Sequence, residues 1–74
     1  MAVNYAYSYA EIDNATYMCV GVVDTSDPNM AGPTGVGSTY IAIDEYSDDY
    51  LFKYYNFDAE KWYYDAGMTE EFVL

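Results

Sequence analysis

Val3-Asn4-Tyr5-Ala6-Tyr7-Ser8-Tyr9-Ala10-Glu11-Ile12, then Asp13-Asn14-Ala15, then Thr16-Tyr17-Met18-Cys19-Val20-Gly21-Val22-Val23, is the stretch that decides the fold. Along its first half Val3, Tyr5, Tyr7 and Tyr9 alternate with Asn4, Ala6, Ser8 and Ala10. A period of two puts each set on its own face of a strand, so Val3 to Ile12 is predicted as a strand with one large-residue face. Asp13 and Asn14 tolerate left-handed backbone and favour a turn. The second half, Thr16 to Val23, is apolar almost throughout, which suits a strand covered on both faces. Two such runs around an Asx turn read as an antiparallel hairpin.

Beyond the hairpin, Asp24 to Gly37 is a loop by composition, because Pro28, Pro33, Gly32, Gly35 and Gly37 cannot sustain a ladder. Loops of this length are often functional or contact a partner. Ser38 to Asp44 alternates again, with Thr39, Ile41 and Ile43 on one face and Tyr40, Ala42 and Asp44 on the other. Glu45 to Tyr50 is an acidic bend in which Ser47 is placed to cap one helical turn, with Asp48 and Asp49 where the helix dipole favours anions. Leu51 to Tyr55 and Lys61 to Asp65 read as two further strands joined by a tight connection, Asn56-Phe57-Asp58-Ala59-Glu60. The chain is therefore expected to be all-β, a small antiparallel sheet of about five short strands with at most one helical turn. Residues 1–65 form a single small β domain, and 66–74 a C-terminal tail that holds a short strand or turn.

Composition narrows the object further. The chain has 74 residues, 13 acids, two lysines, no histidine and a net charge of -11, with eleven tyrosines among 20% aromatic residues. That is one domain at most, and small domains are marginal in stability. Cys19 is the single cysteine, so no intrachain disulfide forms, and without histidine a structural zinc site has too few soft ligands. No metal or cofactor is expected. Apolar content of 53% separates the chain from charged, disordered sequences. No apolar run reaches the length of a membrane span, and Met1-Ala2-Val3-Asn4 does not start a signal peptide. The chain is thus expected to be made in the cytoplasm of its host and not secreted, where a free thiol is at home. Two lysines cannot neutralise a phosphate backbone, so direct nucleic-acid binding is excluded, and anionic membranes are disfavoured for the same reason. Basic partners would be steered in by the field.

The motifs argue against an enzyme. Ser-His and Cys-His nucleophiles need a histidine. Cys19 among valines reads as a small buried hydrophobe. The pairs Asp44/Glu45 and Asp48/Asp49 would need a deep cleft to become an acid and a base, and read instead as a solvated bend. Asp24, Asp27 and Asn29 do not follow calcium-loop spacing and suit a turn. Gly32 to Thr39 lacks the lysine and following helix of a phosphate loop. The tyrosines are more informative, because a small core cannot use all eleven. Tyrosine is enriched at interfaces for its area, rigidity and single hydroxyl. The candidate interaction residues are a stripe of Tyr5, Tyr7 and Tyr9, and a cluster of Tyr54, Tyr55, Trp62, Tyr63 and Tyr64. Part of this set is expected to serve cross-strand pairing alone.

Three phrases carry a resemblance: Cys19-Val20-Gly21-Val22-Val23 closing the hairpin, Ile41-Ala42-Ile43-Asp44-Glu45-Tyr46 after the loop, and Asp48-Asp49-Tyr50-Leu51-Phe52-Lys53-Tyr54-Tyr55-Asn56 leading to Lys61-Trp62-Tyr63. Together they resemble small β-rich proteins encoded among phage tail genes, and modules fused to tail fibres. The resemblance spans residues 3–64 and implies a virion component with no catalytic residues. The expected partners are other protein subunits of a particle, with self-association allowed. Two other functions fit the composition. A dense acidic face would let the chain imitate DNA and inhibit a host nucleic-acid-binding defence protein. A platform of Trp62, Tyr63 and Tyr64 would suit a carbohydrate-binding module.

Overall fold

A computed structural model describes residues 6–74. The opening hairpin is present as β1 (Tyr7–Asp13) and β2 (Cys19–Thr25), paired antiparallel. The Asp13 side chain accepts from the Ala15 amide at 2.9 Å, while the Tyr17 amide donates to the Asp13 carbonyl at 2.7 Å. This is the turn chemistry that Asp13-Asn14 invites. Ile12 pairs with Cys19 and Glu11 with Gly21, so Val20 is an extra residue in β2, a bulge that bends the strand.

β1 is central. β2 flanks it on one side and β4 (Ser38–Ile43) on the other, with a short β3 (Gly32–Pro33) on the outer edge of β4. The loop thus gives a two-residue strand where its composition argued against any ladder. Gly32 and Pro33 pair with Tyr40 and Thr39 at the edge of the sheet, the place where a proline without an N–H is tolerated. Directly opposed residues share a face. One face of this sheet therefore carries Ala10, Ile12, Cys19, Val22, Ile41 and Ile43. The other carries Tyr7, Tyr9, Glu11 and Tyr40, with the Glu11 carboxylate accepting from Ser38 Oγ at 2.7 Å.

The remaining strands do not extend this sheet. They form a second one, β5 (Tyr54–Asn56), β6 (Lys61–Tyr63) and β7 (Glu71–Phe72), in the order β5-β6-β7. Opposed residues Tyr55, Trp62 and Phe72 share its inner face. Before it, Ser47 caps a single 3-10 turn, Asp48–Tyr50, by accepting from the Asp49 amide at 3.1 Å. That turn delivers Tyr50 to the core. The architecture is mainly β, in two small antiparallel sheets where a single five-stranded one was expected. Residues 17–19 join the two. Cys19 N donates to Lys53 O at 2.7 Å, Phe52 N to Cys19 O at 2.9 Å, and Tyr55 N to Tyr17 O at 2.9 Å.

The core is Ala10, Ile12, Cys19, Tyr50 and Phe72, with Val22, Ile41, Ile43, Tyr55 and Trp62 packed against it. Its β1 side is therefore the small-residue face. Tyr50, Trp62 and Phe72 arrive from the opposite layer and pack against Ala10 and Ile12. Tyr50 lies 4.7 Å from Trp62 and 5.8 Å from Phe72, ring centre to ring centre. The last residues contribute to this core through Phe72, carried on β7.

Candidate functional site

The aromatic residues singled out from sequence separate into distinct surroundings. Tyr5 lies outside the described residues. Tyr7 stands exposed beside Thr25 at the end of the hairpin. Tyr9 is only 2% exposed. Its hydroxyl donates to the Asp27 carbonyl at 2.9 Å, and its ring meets Tyr40 edge-on at 6.5 Å. Its ring has no face left for a partner. Tyr54 and Tyr63 oppose each other on the outer face of the second sheet, while Tyr55 and Trp62 oppose each other on the inner face, 5.0 Å apart. Tyr64 is exposed, edge-on to Phe72 at 5.4 Å, with Lys53 Nζ 5.3 Å from its ring centre. The stripe on β1 and the cluster on the second sheet therefore do not merge.

One concave site brings together side chains from three turns and from β5, three of them aromatic. Tyr17, Tyr55, Phe57 and Met68, with Asn56 and Asp58 at the rim, line an open groove of about 280 Å³. Phe57 stands at 89° to Tyr55 with centroids 5.1 Å apart, and at 65° to Tyr17 with centroids 6.1 Å apart. The rings therefore meet as the walls of a corner. Local chemistry holds them there. Asn56 Oδ1 accepts from the amides of Asp58 at 2.9 Å and Ala59 at 3.0 Å, and the Glu60 amide closes the turn on Asn56 O at 2.8 Å. That Asx turn presents Phe57 and Asp58. Met68 is placed by Asp65, whose carbonyl accepts from the Met68 amide at 3.0 Å.

Two of the groove residues have left-handed backbone, Tyr17 at φ 65° and Met68 at φ 56°. Such conformations are costly for large side chains and persist where surrounding bonds over-determine them. At Tyr17 those bonds are its amide to Asp13 and its carbonyl to Tyr55. The Tyr55 phenol is pushed above its ordinary pKa by burial and then by the negative charge of Glu60. Tyr17, Phe57 and Met68 were not among the residues the sequence singled out. The one signal available was Phe57, a large apolar side chain at the tip of a tight turn, where nothing in turn chemistry calls for it.

The other candidates have different surroundings. A second cavity of about 350 Å³ has Tyr50, Trp62 and Phe72 in its wall, and Asp44, Glu45, Glu60 and Glu71 about it with Lys61 as the one base. Cys19 is fully buried, with Sγ 3.3 Å from the Gly21 carbonyl to which it donates. Burial pushes its thiol above the ordinary pKa, which holds it protonated. Among the described residues no group of three or more Asp, Glu or Cys side chains gathers as a metal site. No described helix is long and apolar enough to cross a membrane. Comparison with protein-family models, curated proteins and solved structures finds no match to this chain.

Proposed function

We propose that the chain is a non-enzymatic interaction protein, a small virion subunit of a phage tail or tail fibre that docks on other subunits through aromatic surfaces. One observation carries the docking. Tyr17, Phe52, Phe57 and Tyr64 stand at the surface with 47, 67, 37 and 51% of their area exposed. Phe52 does so at φ 66°, on a backbone that a phenylalanine rarely adopts. An exposed aromatic held in a costly conformation adds nothing to the core, and it is the residue type that anchors interfaces. The setting in a particle comes from the resemblance of residues 3–64 to tail-associated proteins. The acids at bends keep the apolar surface dispersed until it docks. The test is quantitative mass spectrometry on purified, intact particles. The chain is expected in fixed stoichiometry with the tail proteins, and its absence from them would overturn the virion reading.

A further inference from the structure

The aromatic groove differs from the other exposed aromatics in being concave. Lys53 sits over the rings of Tyr64 and Phe72, and Lys61 faces Glu71 at 3.9 Å. Neither lysine lines the groove. Its rim carries Asp58. Around it is a chain of net charge -11, which draws cations toward the surface and repels acidic ligands.

We propose that the groove formed by Tyr17, Tyr55 and Phe57 receives a lysine side chain presented by a partner protein. This rests on the reading of the chain as a docking protein and names what one of its surfaces docks. The rings supply negative π faces to a cation. Their mutual angles of 65° and 89° make a corner, not a flat platform. A planar guanidinium gains most by lying flat on one ring. A compact ammonium on a flexible stem gains from a corner, touching two walls at once while its methylenes cover Met68. Asp58 at the rim then pairs with the charge. The same chain already seats one ammonium on aromatic rings, where Lys53 Nζ lies 5.0 Å from the Phe72 ring centre. The fixed Asx turn and the backbone bonds at Tyr17 mean that little ordering is required on binding.

The test is an amide-resolved NMR titration of the full chain with n-butylammonium chloride, which is a lysine side chain without its backbone. Saturable shifts are expected at Tyr17, Phe57 and Met68 at roughly millimolar concentration, since so small a ligand has few atoms to contribute. n-Butanol, equal in length and uncharged, is expected to move these signals only at much higher concentration. Phe57→Ala removes one wall and is expected to weaken binding about 3- to 10-fold. Asp58→Asn leaves every ring in place and is expected to weaken it about 2- to 3-fold, an effect that added salt erases. Equal response to n-butanol, shifts that never saturate, or unchanged binding in a folded Phe57→Ala chain would each overturn the proposal. The particle experiment is separate. A chain present in virions with a groove that ignores ammonium keeps the docking role and loses this site. A groove that binds ammonium in a chain absent from virions keeps the site and loses the virion setting.

Discussion

Tyr9 shows how one hydroxyl decides whether a tyrosine is buried or stays at the surface. Its neighbour two positions back, Tyr7, is on the same face of β1 and remains exposed. The difference is the segment after β2, which folds over Tyr9 and offers the Asp27 carbonyl to its hydroxyl at 2.9 Å. A buried phenol without that bond would carry the cost of an unsatisfied donor. Tyr9→Phe removes the bond and keeps the ring packing with Tyr40. It is expected to destabilise the chain by about 0.5–1.5 kcal/mol, the net value of one such bond. For a domain of this size the melting temperature falls by roughly 4–8 °C per kcal/mol. Tyr7→Phe, whose hydroxyl makes no bond among the described residues, is expected to melt with the parent chain. Urea or thermal unfolding of both variants decides the matter, and equal stability of the two would show that the loop does not depend on Tyr9.

At the scale of elements, the connection from β6 to β7 depends on Asp65. Its carboxylate accepts from the amides of Thr69 and Glu70, both at 3.0 Å, and from Thr69 Oγ1 at 2.7 Å. These bonds favour the charged form and hold the carboxyl below its ordinary pKa, with Thr69 the larger cause. A folded pKa below the unfolded one gives stability that is complete above the unfolded value, about 4, and lost as pH falls through the folded value. Asp65→Asn keeps the shape and removes the charge. It is expected to be less stable than the parent at neutral pH, with the gap closing below about pH 4 as the parent's own carboxyl takes up a proton. Paired melting curves from neutral pH to about pH 3 measure that gap, and a gap constant across the range would show that charge at Asp65 does not stabilise the turn. The residues that announced their structure were those with local causes: the alternation in β1, the Asp13-Asn14 turn, and Ser47 before Asp48 and Asp49. β3 and β7 were harder, because two residues carry no period and pair only when a register set elsewhere brings them to an edge. Alternation in β1 separated its two faces without saying which was inner. That depended on Tyr50, Trp62 and Phe72 filling the opposite side. Of the groove, Tyr55 was legible as part of an aromatic strand. Tyr17, Phe57 and Met68 come from three separate turns and have only their final position in common.

At the scale of the molecule, shape and charge act on each other. The chain is a slab of 44 × 27 × 17 Å. A body so thin has few interior positions, and among the described residues only Tyr9, Ala10, Ile12, Cys19, Tyr50 and Phe72 are buried apolar groups. Eleven tyrosines cannot all be inside, so aromatic area reaches the surface and acids are needed to keep it in solution. Thirteen acids share that surface with two lysines, both engaged on the second sheet by Tyr64, Phe72 and Glu71. Carboxylates repel one another across the folded slab more than in an expanded chain, where they stand further apart. In about 0.01 M salt the screening length is about 30 Å, so the repulsion reaches across most of the molecule; at about 0.15 M it is about 8 Å and only neighbours feel it. Added sodium chloride is therefore expected to raise the melting temperature over this range and to do little more beyond it. The same addition is expected to weaken capture of a lysine side chain, because that attraction is screened over the same distances. Stability and binding thus move in opposite directions with salt. A melting temperature that falls with sodium chloride from about 0.01 to 0.15 M would mean that attractions, not repulsions, dominate this surface, and that the acids form a specific arrangement in place of a dispersing rim.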